Sequence, residues 1–173
     1  STTMKIFRKL LLFGAAFLFL LAALTAQAQQ PTQLTIVHVT HVKDADTFDG
    51  VICDSSPVTV RLEWIDALEK DQPQGQQAKA YADSLLTGKT VLVYWHKKDG
   101  YGRLIGTVVL PNGDTLNAEV IRAGWAMHYY EYGRSEYYAN MELEAMQAGR
   151  GMWRMPGAKI APWVWRKERR GGK

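Results

Sequence analysis

The chain has 173 residues, with 21 Lys/Arg against 17 Asp/Glu, a net charge of +4 and a pI of about 9.2. Its one cysteine, Cys53, excludes an intrachain disulfide, so the fold must stand on packing. The basic balance is not in itself a nucleic-acid signature: residues 29–153 hold 11 Lys/Arg against 16 Asp/Glu, whereas residues 154–173 hold 7 against 1.

Residues 1–28 read as a cleavable export signal. Lys5, Arg8 and Lys9 precede the uncharged run Leu10–Leu24, and Ala26-Gln27-Ala28 places small residues where a signal peptidase cuts. A retained membrane anchor is the alternative, but 15 residues fall short of the ~20 that span a bilayer comfortably. The expected location is therefore secreted or periplasmic, with Gln29 as the new N-terminus. The remaining 145 residues suit one domain, 29–153, with a basic, Trp-containing tail, 154–173.

Leu34–Val39 mixes alternation with β-branched residues and reads as a strand. Cys53, beside Val51 and Ile52, reads as core or near-core. Val58, Val60, Leu62 and Trp64 share one face of the next strand, leaving Thr59, Arg61 and Glu63 on the polar face, away from the core. Ala78, Tyr81, Ala82 and Leu85 have helical spacing within 75–86, and Gly88 stands just beyond as a stop. Val91–Trp95 is another strand. Leu104–Leu110 and a segment from Thr115 flank the turn Pro111-Asn112-Gly113-Asp114, which predicts a hairpin. Asn117 is placed to cap a helix through Ala123, and a last helix is expected over Ser135–Gln147. About five strands with interposed helices predict an α+β chain built on a five-stranded barrel of the oligonucleotide-binding (OB) type, with about three helices.

Three short stretches carry the chemistry: Asp44-Ala45-Asp46-Thr47, Arg61 to Glu69, and Asp99-Gly100-Tyr101-Gly102-Arg103. They offer hard oxygen donors for a cation, two arginines for a phosphate and a glutamate able to activate water, an inventory suited to phosphodiester chemistry. No His or Cys spacing suits zinc. Singly, each residue has an ordinary structural role: Asp46 in an Asx turn, Asp66 at a strand end, Arg61 and Arg103 facing solvent.

In order and spacing these motifs resemble the staphylococcal-type thermonuclease family: Asp-x-Asp-Thr, then Arg-Leu-x-x-Ile-Asp-x-x-Glu, then Asp-x-Tyr-Gly-Arg. The resemblance covers roughly residues 33–153, including Ala123-Gly124-Trp125-Ala126 and Gly151-Met152-Trp153. It implies the OB barrel and a nuclease that cleaves DNA or RNA with little sequence preference. It further implies a Ca²⁺ held by Asp46, Asp66 and the main-chain carbonyl of Ala67, with Glu69 acting on the attacking water. Arg61 and Arg103 match the phosphate-gripping arginines, and Tyr101, Tyr130 and Tyr132 match aromatics near the nucleotide. A monomer is expected. Ala45, Ala67, Leu68 and Gly100 depart from the family's glycine, threonine, proline and lysine.

The alternative function is a secreted, non-catalytic nucleic-acid or polysaccharide-binding barrel. Glu69 argues against it, since an anion beside a phosphate site repels the ligand unless it does chemistry. The tail is expected either to attract nucleic acid, with Trp163 and Trp165 packing back on the barrel or stacking on bases and Arg166, Lys167, Arg169 and Arg170 following the phosphates, or to fray in solvent.

Overall fold

The computed structural model describes residues 31–171 except 54, 157 and 158, so the expected export signal lies outside the described residues. Five strands close a barrel in the order β1-β2-β3-β6-β5: β1 (Gln33–Asp44), β2 (Thr47–Val51), β3 (Pro57–Leu62), β5 (Thr90–Lys98) and β6 (Leu104–Val109). Neighbours pair antiparallel except β3 and β6, which run parallel with Arg61 opposite Ile105. A second, two-stranded sheet joins β4 (Ile65–Ala67) to β7 (Ala126–His128). The barrel is the α+β architecture expected from the sequence.

Alternation fills the barrel, and bulges correct its phase. Val37 and Val39 point inward on β1; an irregularity between Val39 and His41 then shifts the pleat by one residue, so that Val42 rejoins the core. Phe48, Val60, Leu62, Val91, Val93 and Val108 complete the buried interior. Strand β2 is not expected from the sequence, because Asp49 and Gly50 weaken its strand signal. Gly50 is there because a Cβ would collide with the Val37 side chain and the His38 carbonyl of β1.

Four helices surround the barrel among the described residues: α1 (Gly75–Leu86), α2 (Leu116–Arg122), α3 (Glu136–Gln147) and α4 (Pro162–Gly171), with a 3₁₀ turn at Gly151–Arg154. Helix α1 has the expected span. Ser135 caps α3 by accepting from the Tyr138 N–H.

Several local expectations are corrected. The turn at 111–114 does not close a hairpin; Val109 makes one isolated bridge to Thr115, and the chain passes straight into α2. Thr115, not Asn117, is the N-cap residue. Asn117 is fully buried: its Oδ1 accepts from Val108 N at 3.0 Å, and its Nδ2 donates to the carbonyls of Glu63 and Gly106 at 3.1 and 3.3 Å. An amide that satisfies three backbone groups fastens α2 to the barrel, a role its cap-like context hides. Cys53 is exposed in the β2–β3 turn rather than in the core, because the apolar run beside it ends as the strand does. Of the alternatives for the tail, packing back on the barrel is the one its described residues show: 162–171 form α4, with Pro162 buried and Trp163 packed against the core.

Candidate active site

Strand β3 ends at a sharp corner. Trp64 takes a left-handed conformation (φ 68°), which an indole residue rarely adopts, and this reverses the chain into β4. Arg61 spans the corner: Nη1 donates to the carbonyls of Leu62 and Ile65 at 2.6 and 2.9 Å, and Nη2 donates to Asp66 Oδ1 at 2.8 Å. The same Nη2 lies 3.1 Å from Asp46 Oδ2. Arg61 thus leaves the hydrophobic interior, as its strand phase predicts, yet its side chain is only 14% exposed because it lies against these carboxylates.

Asp46 sits on the tight β1–β2 connection, where the Thr47 hydroxyl donates to its Oδ1 (2.9 Å) and the Ala67 N–H to its Oδ2 (2.6 Å). Asp66, on β4, has no solvent exposure. Burial raises its carboxyl to about 6, with the Arg166 hydrogen bond opposing the rise and the Asp46 charge adding to it. Burial and then the Asp46 charge push the adjoining Asp44 up to about 8. Three oxygen-donor side chains whose charges disfavour one another fit a hard dication in donor type and charge, although no ready-made cage of three or more His, Cys, Asp or Glu exists among the described residues.

Glu69 lies beyond β4 on a loop stitched by Gln72, whose N–H donates to the Glu69 carbonyl (2.9 Å) and whose Oε1 accepts from the Glu69 N–H (3.3 Å). Arg103 closes the β5–β6 turn. Asp99 Oδ1 accepts from the backbone N–H groups of Tyr101 and Arg103, and Asp99 Oδ2 holds the Arg103 guanidinium at 2.7 Å. The guanidinium lies 5.5 Å from the Tyr101 ring.

One cleft of about 990 Å³ collects Asp46, Arg61, Asp66, Glu69, Arg103, Tyr101 and Tyr132. Tyr101 and Tyr132 expose 86% and 69% of their surface, with Arg103 over the Tyr101 ring and the Tyr129 ring 4.8 Å from that of Tyr132. Two expected residues do not line this cleft. Tyr130 lies outside the cleft, its ring 4.2 Å from that of His128, and the adjacent Tyr129 lines the cleft instead. Ala67 is buried in the β4–β7 pair and meets Asp46 through its backbone N–H.

Sequence reasoning missed the role of Arg166. From α4 its Nη1 donates to Asp66 Oδ1 (3.0 Å) and Glu69 Oε1 (2.6 Å), and its Nη2 to Asp66 Oδ2 (2.7 Å). Burial works against the guanidinium's charge, but the bonds to Asp66 and Glu69 outweigh it and raise its pKa further. The signal was present in the opposed charges of body and tail, and in the helical spacing of Trp163, Arg166 and Arg170, all of which line the cleft.

A family model described as staphylococcal nuclease homologue matches residues 59–155. An Escherichia coli O157:H7 protein described as an uncharacterized endonuclease is 38% identical over 128 residues, which cover 74% of this chain and 82% of the relative. Protein ParB of Escherichia coli is 36% identical over 140 residues, covering 75% and 78%. Staphylococcal-like nuclease CAN1 of Arabidopsis thaliana is 34% identical over 113 residues, covering 65% of this chain and 34% of that protein. With its closed barrel and its three motifs gathered around one cleft, the chain belongs to the staphylococcal nuclease family.

Proposed function

We propose that the protein is an exported, Ca²⁺-dependent nuclease that hydrolyses phosphodiester bonds of DNA or RNA with low sequence specificity. The observation that carries this reading is that Asp66 and Glu69 end on one guanidinium nitrogen, so the carboxylate that would hold the cation and the one that would activate water stand side by side, with Arg61 bonded to the same Asp66. Asp46 and Asp66, with the Ala67 carbonyl, are the groups that would hold Ca²⁺, and the ion would supply neutralisation of phosphate charge.

The chain's own residues do the rest. Glu69 orients a water on its carboxylate and takes its proton as the oxygen attacks phosphorus, a contribution of roughly 10²–10⁴-fold. The guanidiniums of Arg61 and Arg103 exchange their carboxylate partners for the equatorial phosphate oxygens, whose charge grows in the transition state. The bond from phosphorus to one bridging oxygen breaks, and the leaving oxygen takes a proton from solvent. Tyr101 and Tyr132 offer flat, exposed rings on which any base can stack, consistent with low sequence preference.

The test is cleavage of single- and double-stranded DNA and RNA by the purified chain, with Ca²⁺ and with chelator. Ca²⁺-dependent fragmentation of at least one substrate is expected. Absence of cleavage on all four in Ca²⁺ would leave the binding-module reading in its place.

A further inference from the structure

Both oxygens of Asp66 are occupied: Oδ1 accepts from Arg61 and Arg166, and Oδ2 accepts from Arg166. Glu69 Oε1 accepts from the same Arg166 Nη1. The guanidinium therefore stands between the carboxylate assigned to the cation and the carboxylate assigned to water. Oδ1 has no lone pair left and Oδ2 has one, so a dication on Asp66 would sit directly beside the Arg166 guanidinium, and the two positive charges compete for the carboxylate.

Helix α4 is docked with Pro162 buried and with Ala161 and Trp163 packed against the core. Trp163 stacks on Tyr129 with ring centroids 4.9 Å apart and planes 9° from parallel. Gln72, the residue that shapes the Glu69 loop, donates Nε2 to the Ile160 carbonyl at 2.6 Å just before the helix. Arg169 pairs with Asp71, an exposed contact of the kind that contributes little in water. Ten residues of helix are below the ~12–15 that stand alone in water, so α4 persists through its docking. The bonds of Arg166 to the fully buried Asp66 are the part of this docking that a cation on Asp66 would replace.

Resting on the nuclease reading above, we propose that α4 is an autoinhibitory plug in which Arg166 substitutes for the catalytic cation, closing the site until Ca²⁺ displaces the guanidinium and frees the helix. The plug keeps Asp66 and Glu69 compensated without the ion and makes cation affinity and helix docking reciprocal: whatever loosens α4 tightens Ca²⁺ binding, and Ca²⁺ loosens α4 by the same factor.

The experiment is done without substrate. Ca²⁺ is titrated calorimetrically into the wild-type chain, Arg166→Ala and Trp163→Ala, and backbone hydrogen exchange of 162–171 is measured with and without the ion. Trp163→Ala changes no charge, so its effect separates helix docking from simple removal of a nearby positive charge. Expected are Ca²⁺ affinities about tenfold tighter in both variants, within the usual range of coupling factors, and faster exchange of the wild-type α4 amides once Ca²⁺ is bound. Unchanged exchange in α4, or tighter binding in Arg166→Ala alone, would overturn the plug while leaving the nuclease reading intact. No Ca²⁺ binding to any of the three would overturn the cation site and the plug together.

Discussion

The Ala67 backbone N–H donates to Asp46 Oδ2 at 2.6 Å across 21 positions of sequence, and this bond is the joint between the first two motifs. Because the main chain makes it, the bond itself needs no particular side chain at 67. An alanine in place of the family's threonine therefore leaves the orientation of Asp46 untouched.

Asp66→Ala should abolish turnover and also destabilise the fold. Arg61, with a side chain 14% exposed, would lose its main partner, and breaking a buried pair from one side costs roughly 3–5 kcal/mol. Arg166 suffers less because it reaches solvent. Urea unfolding beside an activity assay checks both effects; a variant with wild-type stability would show that Arg61 does not depend on Asp66.

Arg61→Lys should fail despite its charge. One ammonium cannot span the Leu62 and Ile65 carbonyls and Asp66 as the planar guanidinium does, nor grip a phosphate through two bonds. A loss of about 10²–10³ in kcat is expected, comparable to removing an oxyanion donor. Wild-type rates in the lysine variant would place the phosphate elsewhere.

Gly75→Ala should damage the site from outside it. A Cβ at 75 would collide with the Glu69 carbonyl, so the loop must move to admit a methyl group, at a cost of about 1–3 kcal/mol. Activity should fall more than substrate affinity, because Glu69 is displaced while the arginines stay. Equal losses in kcat and in binding would point to general unfolding instead.

Glu142→Gln should alter how stability depends on pH. Burial raises the Glu142 carboxyl to about 7, against a hydrogen bond from the His128 backbone on β7. With its pKa higher in the folded chain, the native state binds the proton more tightly. This contribution is therefore complete below the unfolded value of 4.5 and is lost as pH rises through 7. Relative to wild type, the glutamine variant should gain about 1 kcal/mol between about pH 5 and about pH 8, allowing for screening at a half-buried position. Urea midpoints at both values check it; an unchanged difference would mean Glu142 titrates as in the unfolded chain.

The barrel was legible because its strands announce themselves in β-branched alternation, as in 34–39 and 58–62. Helix α1 was legible through the 78, 81, 82, 85 spacing. Strand β2 was hidden because Asp49 and Gly50 are dictated by tertiary contacts with Thr59 and β1, not by strand propensity. The hairpin expected at 111–114 failed because a good turn sequence does not specify the element it leads into, and Leu116, Val120 and Ile121 bury as one face of a helix. At the site, local motifs brought Asp46, Arg61, Asp66, Glu69 and Arg103 into view. Arg166 reaches Asp66 from 100 positions away, and such a partnership leaves no short-range pattern. Only the charge asymmetry between body and tail and the helical spacing of Trp163, Arg166 and Arg170 pointed to it.

The most direct test of the catalytic site is single-turnover cleavage by the wild-type chain and Glu69→Gln, each in saturating Ca²⁺ and in excess chelator. The substitution keeps the shape of the side chain and leaves Arg166 its two bonds to Asp66, so folding and Ca²⁺ binding should be preserved. Expected are a wild-type rate that vanishes in chelator, and a glutamine variant slower by about 10²–10⁴-fold in Ca²⁺. A Glu69→Gln rate above about half of wild type, or full wild-type activity in chelator, would contradict a Ca²⁺-dependent site in which Glu69 activates the water.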